Sequence, residues 1–101
     1  MKERIPDSIY IENVRKETSR LTGEEVRLSV FTHDSRKIIP YEGKIMRIEE
    51  NDLLIQITRN DLSTHVRAGE SVQIRLIDVH SIVASDNVIL FVRDRKKLDR
   101  R

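Results

Sequence analysis

Two spacings of apolar residues divide the chain at Gly23. Before it, Ile11, Val14, Thr18 and Leu21 recur at intervals of three, four and three, which places them on one side of a helix. Pro6, Asp7 and Ser8 offer a start with a capping side chain, and Gly23 offers a left-handed stop, so the pattern predicts a helix over 8–22. Its apolar stripe is narrow, as suits a lid over a sheet. After Gly23 the period changes to two. In VRLSVF, residues 26–31, Val26, Leu28 and Val30 alternate with polar positions as a half-buried strand requires. THDSRK, residues 32–37, reads as a turn. IIPYEGKIMRIEE reads as one long strand bent near its middle, with Pro40 at an unpaired position and no side chain at Gly43. The acidic turn Glu49, Glu50, Asn51, Asp52 then leads into NDLLIQI, with Leu53, Ile55 and Ile57 on one face. In residues 58–71, AGES marks a turn, and THVR before it is expected to pair with VQIR after it. HSIVAS reads as a strand end or a short helical turn. NVILFVR closes the pattern with five consecutive apolar residues, Val88 to Val92. Such a run is buried on both faces, or buried on one and paired with a neighbouring molecule on the other.

At 101 residues the chain is expected to form a single domain, 1–101: a helix over 8–22, a β-barrel over 25–92 and a basic C-terminal tail over 93–101. Aromatic residues make up only 4% of the chain, so its many Ile, Val and Leu must build the core, with Tyr10, Phe31, Tyr41 and Phe91 as fillers. β-branched enrichment of that kind favours strands. The predicted fold class is mainly β with an N-terminal α-helix, in a small, strongly bent, five- or six-stranded antiparallel barrel.

The segments EVRLSVFTHDSRKIIPYEGKIMRIEENDLLIQI and VQIRLIDVHSIVAS carry a family resemblance. A leading helix, a bent sheet with a glycine central to its second strand, and an acidic turn into an apolar third strand resemble the Sm/Lsm-like family of small SH3-like barrels. The likeness is strongest to its Hfq-like branch, where the helix also comes first. The resemblance implies that Gly43 permits the bend of that strand, and it implies RNA as a ligand. The Tyr-Lys-His stretch lining the Hfq-type RNA pore is not reproduced at residues 75–77 or 78–80. Asn51 and Asp52 stand near the loop that holds the asparagine-centred RNA pocket of the wider family. NVILFV is left over as an extra strand.

Charge sharpens the RNA expectation. The last nine residues, RDRKKLDRR, hold six Lys and Arg and two Asp, a net +4 in a chain of net +2, so the remainder is net −2. Phosphate binding requires cations, and single strands add aromatic or guanidinium planes for the bases. The candidate nucleic-acid-binding residues are Arg36, Lys37, Arg47, Arg59, Arg67, Arg75, Arg95, Lys96 and Lys97. In an ideal strand Lys44 falls on the face opposite Arg47. Phe31, Tyr41 and Phe91 are each expected as core fillers before base platforms. The alternative is a protein-interaction regulator or oligomeric scaffold without a nucleic-acid ligand. Its candidate interface is Ile89 and Phe91, on the face opposite Val88, Leu90 and Val92, and its partner a second copy or another protein.

No catalytic constellation stands in the chain, so the expectation is a non-enzyme, a regulatory or adaptor module. No cofactor, small-molecule substrate or metal is expected: His33, His65 and His80 share no metal-ligand spacing, and there is no cysteine. Asp78 and His80 would share a face if both lay in a strand. No stretch reaches the roughly 18 apolar residues that span a bilayer. The N-terminal residues lack the apolar centre of a secretory signal, so a cytoplasmic location is expected.

Overall fold

A computed structural model of the chain describes residues 2–32, 37–59, 66–92 and 94–96. Its elements, in chain order, are β1 (Lys2–Arg4), α1 (Asp7–Arg20), β2 (Glu25–Phe31), β3 (Ile38–Ile48), β4 (Asp52–Ile57), β5 (Ser71–Arg75), a 3-10 turn (Leu76–Asp78), β6 (Val79–Ala84), β7 (Asn87–Leu90) and β8 (Asp94–Lys96).

α1 starts one residue before the predicted span, with Pro6 at its N-cap and no side-chain capping bond. Asp7 in the first turn and Arg20 in the last complement the helix dipole. Gly23 adopts the left-handed conformation the sequence calls for, at φ +86°. The buried face is Tyr10, Val14 and Thr18, flanked by partly buried Ile11 and Leu21. The Thr18 hydroxyl donates to the Val14 carbonyl at 2.8 Å, so this buried polar group is satisfied within its own helix.

Six strands form one antiparallel sheet in the order β5-β4-β3-β2-β6-β7, and β1 pairs with β8 in a separate two-stranded ribbon. The mainly β, helix-first organisation is that predicted. The sheet is not closed: its hydrogen-bonded row ends at β5 on one side and β7 on the other. Alternation sends Val26, Leu28, Val30, Ile45, Leu53, Ile55, Ile57, Ile74 and Ile82 to one face, where they share a single buried core with Tyr10 and Val14 of α1. Hydrogen bonds from three residues, two of them from Arg15, fix the helix over that face. The Tyr10 hydroxyl donates to the Val79 carbonyl, the Arg15 guanidinium to the Glu50 carbonyl in the β3–β4 turn, and the Gly23 amide to the Ile45 carbonyl.

Two bulges and one close-approach glycine interrupt the regular ladder. Met46 has no register partner between Ile45↔Ile55 and Arg47↔Leu54, and His80 has none between Ser29↔Ser81 and Val30↔Val79. At Gly43 a Cβ would collide with the Gln56 carbonyl of β4. Pro40 sits where its missing donor costs nothing. Glu42, two residues on, accepts from Thr58 on the β4 side, and the β3–β4 register begins only at Gly43.

β5 pairs with β4, and the turn at Arg67–Glu70 folds back through Gly69 and Glu70 onto Ile57. Of the segment expected to pair with β5, residues 64 and 65 lie outside the described residues. Two local expectations are corrected. The helical turn precedes HSIVAS, which is strand β6. Part of the tail, Asp94–Lys96, pairs with the N-terminal Lys2–Arg4 in the register Lys2↔Lys96, Glu3↔Arg95, Arg4↔Asp94.

Candidate functional site

The face of the sheet turned away from α1 carries Arg47 and Arg75 of the candidate cations, together with Arg27 and Lys44. The Met46 bulge shifts parity, so that Lys44, opposite Gln56, and Arg47, opposite Leu54, project on the same side. This corrects the ideal-strand expectation, which separates them. The cations nevertheless alternate with acids. Lys44 is the register partner of Glu25, Arg27 that of Glu42, and Arg75 that of Asp52. Arg75 donates to both carboxylate oxygens of Asp78, at 2.9 and 3.2 Å. That bidentate bond, with the attraction of the Asp78 charge and a smaller pull from Asp52, raises the guanidinium above its ordinary pKa. Arg59 lies 3.9 Å from Glu42. Lys37, Arg47 and Arg67 are exposed. Arg36 and Lys97 lie outside the described residues, and Arg95 and Lys96 belong to β8 of the ribbon. Among the described residues the sheet therefore presents a mixed charge surface and no stripe of one sign.

The aromatic candidates are occupied by neighbours. Phe91 meets Tyr10 edge-on at 6.2 Å between ring centroids, and Phe31 meets the His80 ring at 5.0 Å. Tyr41 is half-buried opposite Leu28. Asp78 ends the 3-10 turn instead of lying in a strand with His80, and its carboxylate is engaged by Arg75. The buried His80 Nδ1 has no hydrogen-bond partner among the described residues. His33 and His65 lie outside those residues. No group of three His, Asp or Glu suited to a metal ion forms among the described residues.

The most distinctive surface is β7. A hairpin through Ser85 and Asp86 lays β7 along β6, in the register Ser81↔Leu90, Ile82↔Ile89, Val83↔Val88. Ile89 and Phe91, the expected interface pair, turn inward against the core. The outward set is the other one: Val88 and Leu90 are each 64% exposed and Val92 is 59% exposed. The apolar run itself signalled this strand. Which half faces outward depends on the pairing with β6, which the sequence does not display. The Phe91 amide donates to the His80 carbonyl, so by strand alternation the backbone groups of Val88, Leu90 and Val92 point away from β6, at the open edge. Among the described residues, exposed apolar side chains and edge groups without a strand partner thus belong to the same three residues. Beside the start of β7 lies a recess of about 480 Å³, lined by Glu17, Arg20, Leu21 and Glu24 from the end of α1 and by Val88 and Ile89.

Among the described residues no helix is long and apolar enough to cross a membrane. Comparison of the chain with protein-family models, with curated proteins and with solved structures gives no match.

Proposed function

We propose that this chain is a non-enzymatic, Sm-like interaction module that engages another polypeptide by strand addition at β7. The observation that carries the reading is the edge position of β7 together with the exposure of Val88, Leu90 and Val92. An unblocked apolar edge strand is a liability that soluble proteins cover, and pairing with an added strand covers both its backbone groups and its side chains. The relation to Sm-like and SH3-like small barrels is supported by the leading helix, by the order β5-β4-β3-β2-β6 within the sheet, and by the crowding that reserves Gly43 for glycine. The test is affinity capture on the immobilised full chain against its Leu90→Lys variant. Protein held by the wild type and lost by a folded Leu90→Lys variant supports the reading, and equal capture by both overturns it.

A second reading, RNA binding, is favoured by the β1–β8 ribbon. Its register sets Lys2 opposite Lys96, with Glu3 opposite Arg95 and Arg4 opposite Asp94, so that two segments of net charge +1 each, far apart in the sequence, adjoin. A phosphate-led contact there gives affinity for a single-stranded RNA oligonucleotide that falls with salt and weakens when residues 97–101 are removed. Affinity indifferent to both changes eliminates the ribbon as the binding element.

A further inference from the structure

We infer that the strand added at β7 is β7 of a second copy, paired antiparallel about a two-fold axis through Leu90. This inference rests on the reading of β7 as an interaction edge and names its occupant.

Parity selects the arrangement. In an antiparallel pair, residues directly opposite one another project on the same face, and a two-fold axis on Leu90 sets Leu90 against itself and Val88 against Val92 of the other copy. The three outward side chains of each copy then form one continuous apolar row. The edge groups of the same residues face one another and can exchange about six backbone hydrogen bonds. Ile89 and Phe91 fall opposite each other on the inner face, which keeps the parity of both cores.

The segment 88–92 is uncharged, so no charged side chain enters the paired row. The opposite sheet edge does not fit. β5 projects exposed Ser71, Gln73 and Arg75, so pairing β7 with β5 of a neighbour would set Val and Leu against polar and charged side chains. The apolar edge matches itself and not the other edge, which makes the association a closed dimer and not a ring or filament.

Size sets the strength. Five paired residues, 88–92, give a seam only about 17 Å long at about 3.3 Å per residue, short of the roughly 800 Å² per partner of standard stable interfaces. The dimer is therefore concentration-dependent.

The chain contains no cysteine, so single introduced thiols report the register without background. Facing Leu90 positions lie about 5.5 Å apart between Cα atoms, within disulfide range. The two Val88 positions are four residues out of register, about 13 Å apart, and cannot bridge. Under oxidised glutathione, Leu90→Cys should cross-link to dimer and Val88→Cys should not, while an equal mixture of Val88→Cys and Val92→Cys should give the mixed dimer. By sedimentation equilibrium the wild type should show a dimer fraction that rises with concentration, and Leu90→Lys should stay monomeric with an unchanged circular dichroism spectrum. A wild type that is monomeric up to about 1 mM, or equal cross-linking at positions 88 and 90, overturns the inference. If the wild type is monomeric yet the Leu90-sensitive capture persists, the second copy is excluded and the interaction reading stands. If that capture is insensitive to Leu90 as well, both fall.

Discussion

Gly43→Ala is the sharpest test of how this sheet is built. A Cβ at this position would lie 2.9 Å from both the Gln56 carbonyl carbon and Ile55 Cγ1, and closer still to the Gln56 oxygen, where ordinary contact begins at 3.4 Å. The first two atoms must recede by about 0.5 Å and the oxygen by more. Two of the three belong to the backbone of β4, which is held between β3 and β5 and cannot rotate aside as a side chain would. Overpacking of well-filled sites costs about 1–3 kcal/mol, and the rigid neighbour places Gly43→Ala near the upper end, at about 3 kcal/mol. For a chain of this size each kcal/mol lowers Tm by about 4–8 °C, so a fall of about 12–24 °C is expected in thermal unfolding followed by circular dichroism. Gly23 and Gly69 provide the control. Each has φ near +90° and open space around it, at +86° and +95°, so their requirement is conformational and not steric. Asn, which tolerates left-handed backbone, should be nearly neutral at those two positions and worse than Ala at Gly43. A Gly43→Ala protein melting within about 4 °C of wild type, equivalent to less than about 1 kcal/mol, would refute the close-approach argument.

Other outcomes follow from the same packing. Tyr10→Phe leaves the Val79 carbonyl without its buried donor and should cost about 1–3 kcal/mol in urea unfolding, with the m-value unchanged because the exposed area is the same. Deleting Met46 removes the unpaired residue of the β3 bulge, so Arg47 and Ile48 keep their partners Leu54 and Leu53. The deletion should fold and cost less than Gly43→Ala, and an unfolded product would show that the register is held some other way. Ile55→Ala empties a fully buried position and should cost about 2–5 kcal/mol by the same measurement. The Arg75 and Asp78 side chains are 55% and 20% exposed, so a double-mutant cycle should return less than about 1 kcal/mol, shrinking in high salt. A larger, salt-independent coupling would mark the pair as structural.

Read alone, the sequence determined the features that depend on near neighbours. The three-and-four spacing of Ile11, Val14, Thr18 and Leu21 gave the helix, which ends at Arg20, two residues short of the predicted span, and Gly23 gave the left-handed residue of the turn that follows. The alternation through 26–31, 53–57 and 72–75 gave the strands and their buried faces, because a side chain's face follows from residue parity along one strand; Leu76, expected to continue the last of them, opens the 3-10 turn. Gly43 was identified as special through the bend a resemblance implies; the neighbouring reason, the Gln56 carbonyl, lies thirteen positions away in the sequence and was invisible.

What tertiary structure alone decided are the relations between strands. A single unpaired residue at Met46 brings Lys44 and Arg47 to one face, since a bulge adds one to the parity count without changing any local preference. Asp78 was separated from His80 by a 3-10 turn that answers to the connection between β5 and β6. The ribbon between Lys2–Arg4 and Asp94–Lys96 joins residues 90 to 94 positions apart, and neither segment carries a strand pattern of its own. The same holds for β7. Five apolar residues in succession announce a strand but contain no alternation from which to read a face. Pairing with β6 over the shared core turned Ile89 and Phe91 inward and left Val88, Leu90 and Val92 at the open edge, so the surface on which the functional proposal rests was set by the neighbouring strand and not by the residues of β7 themselves.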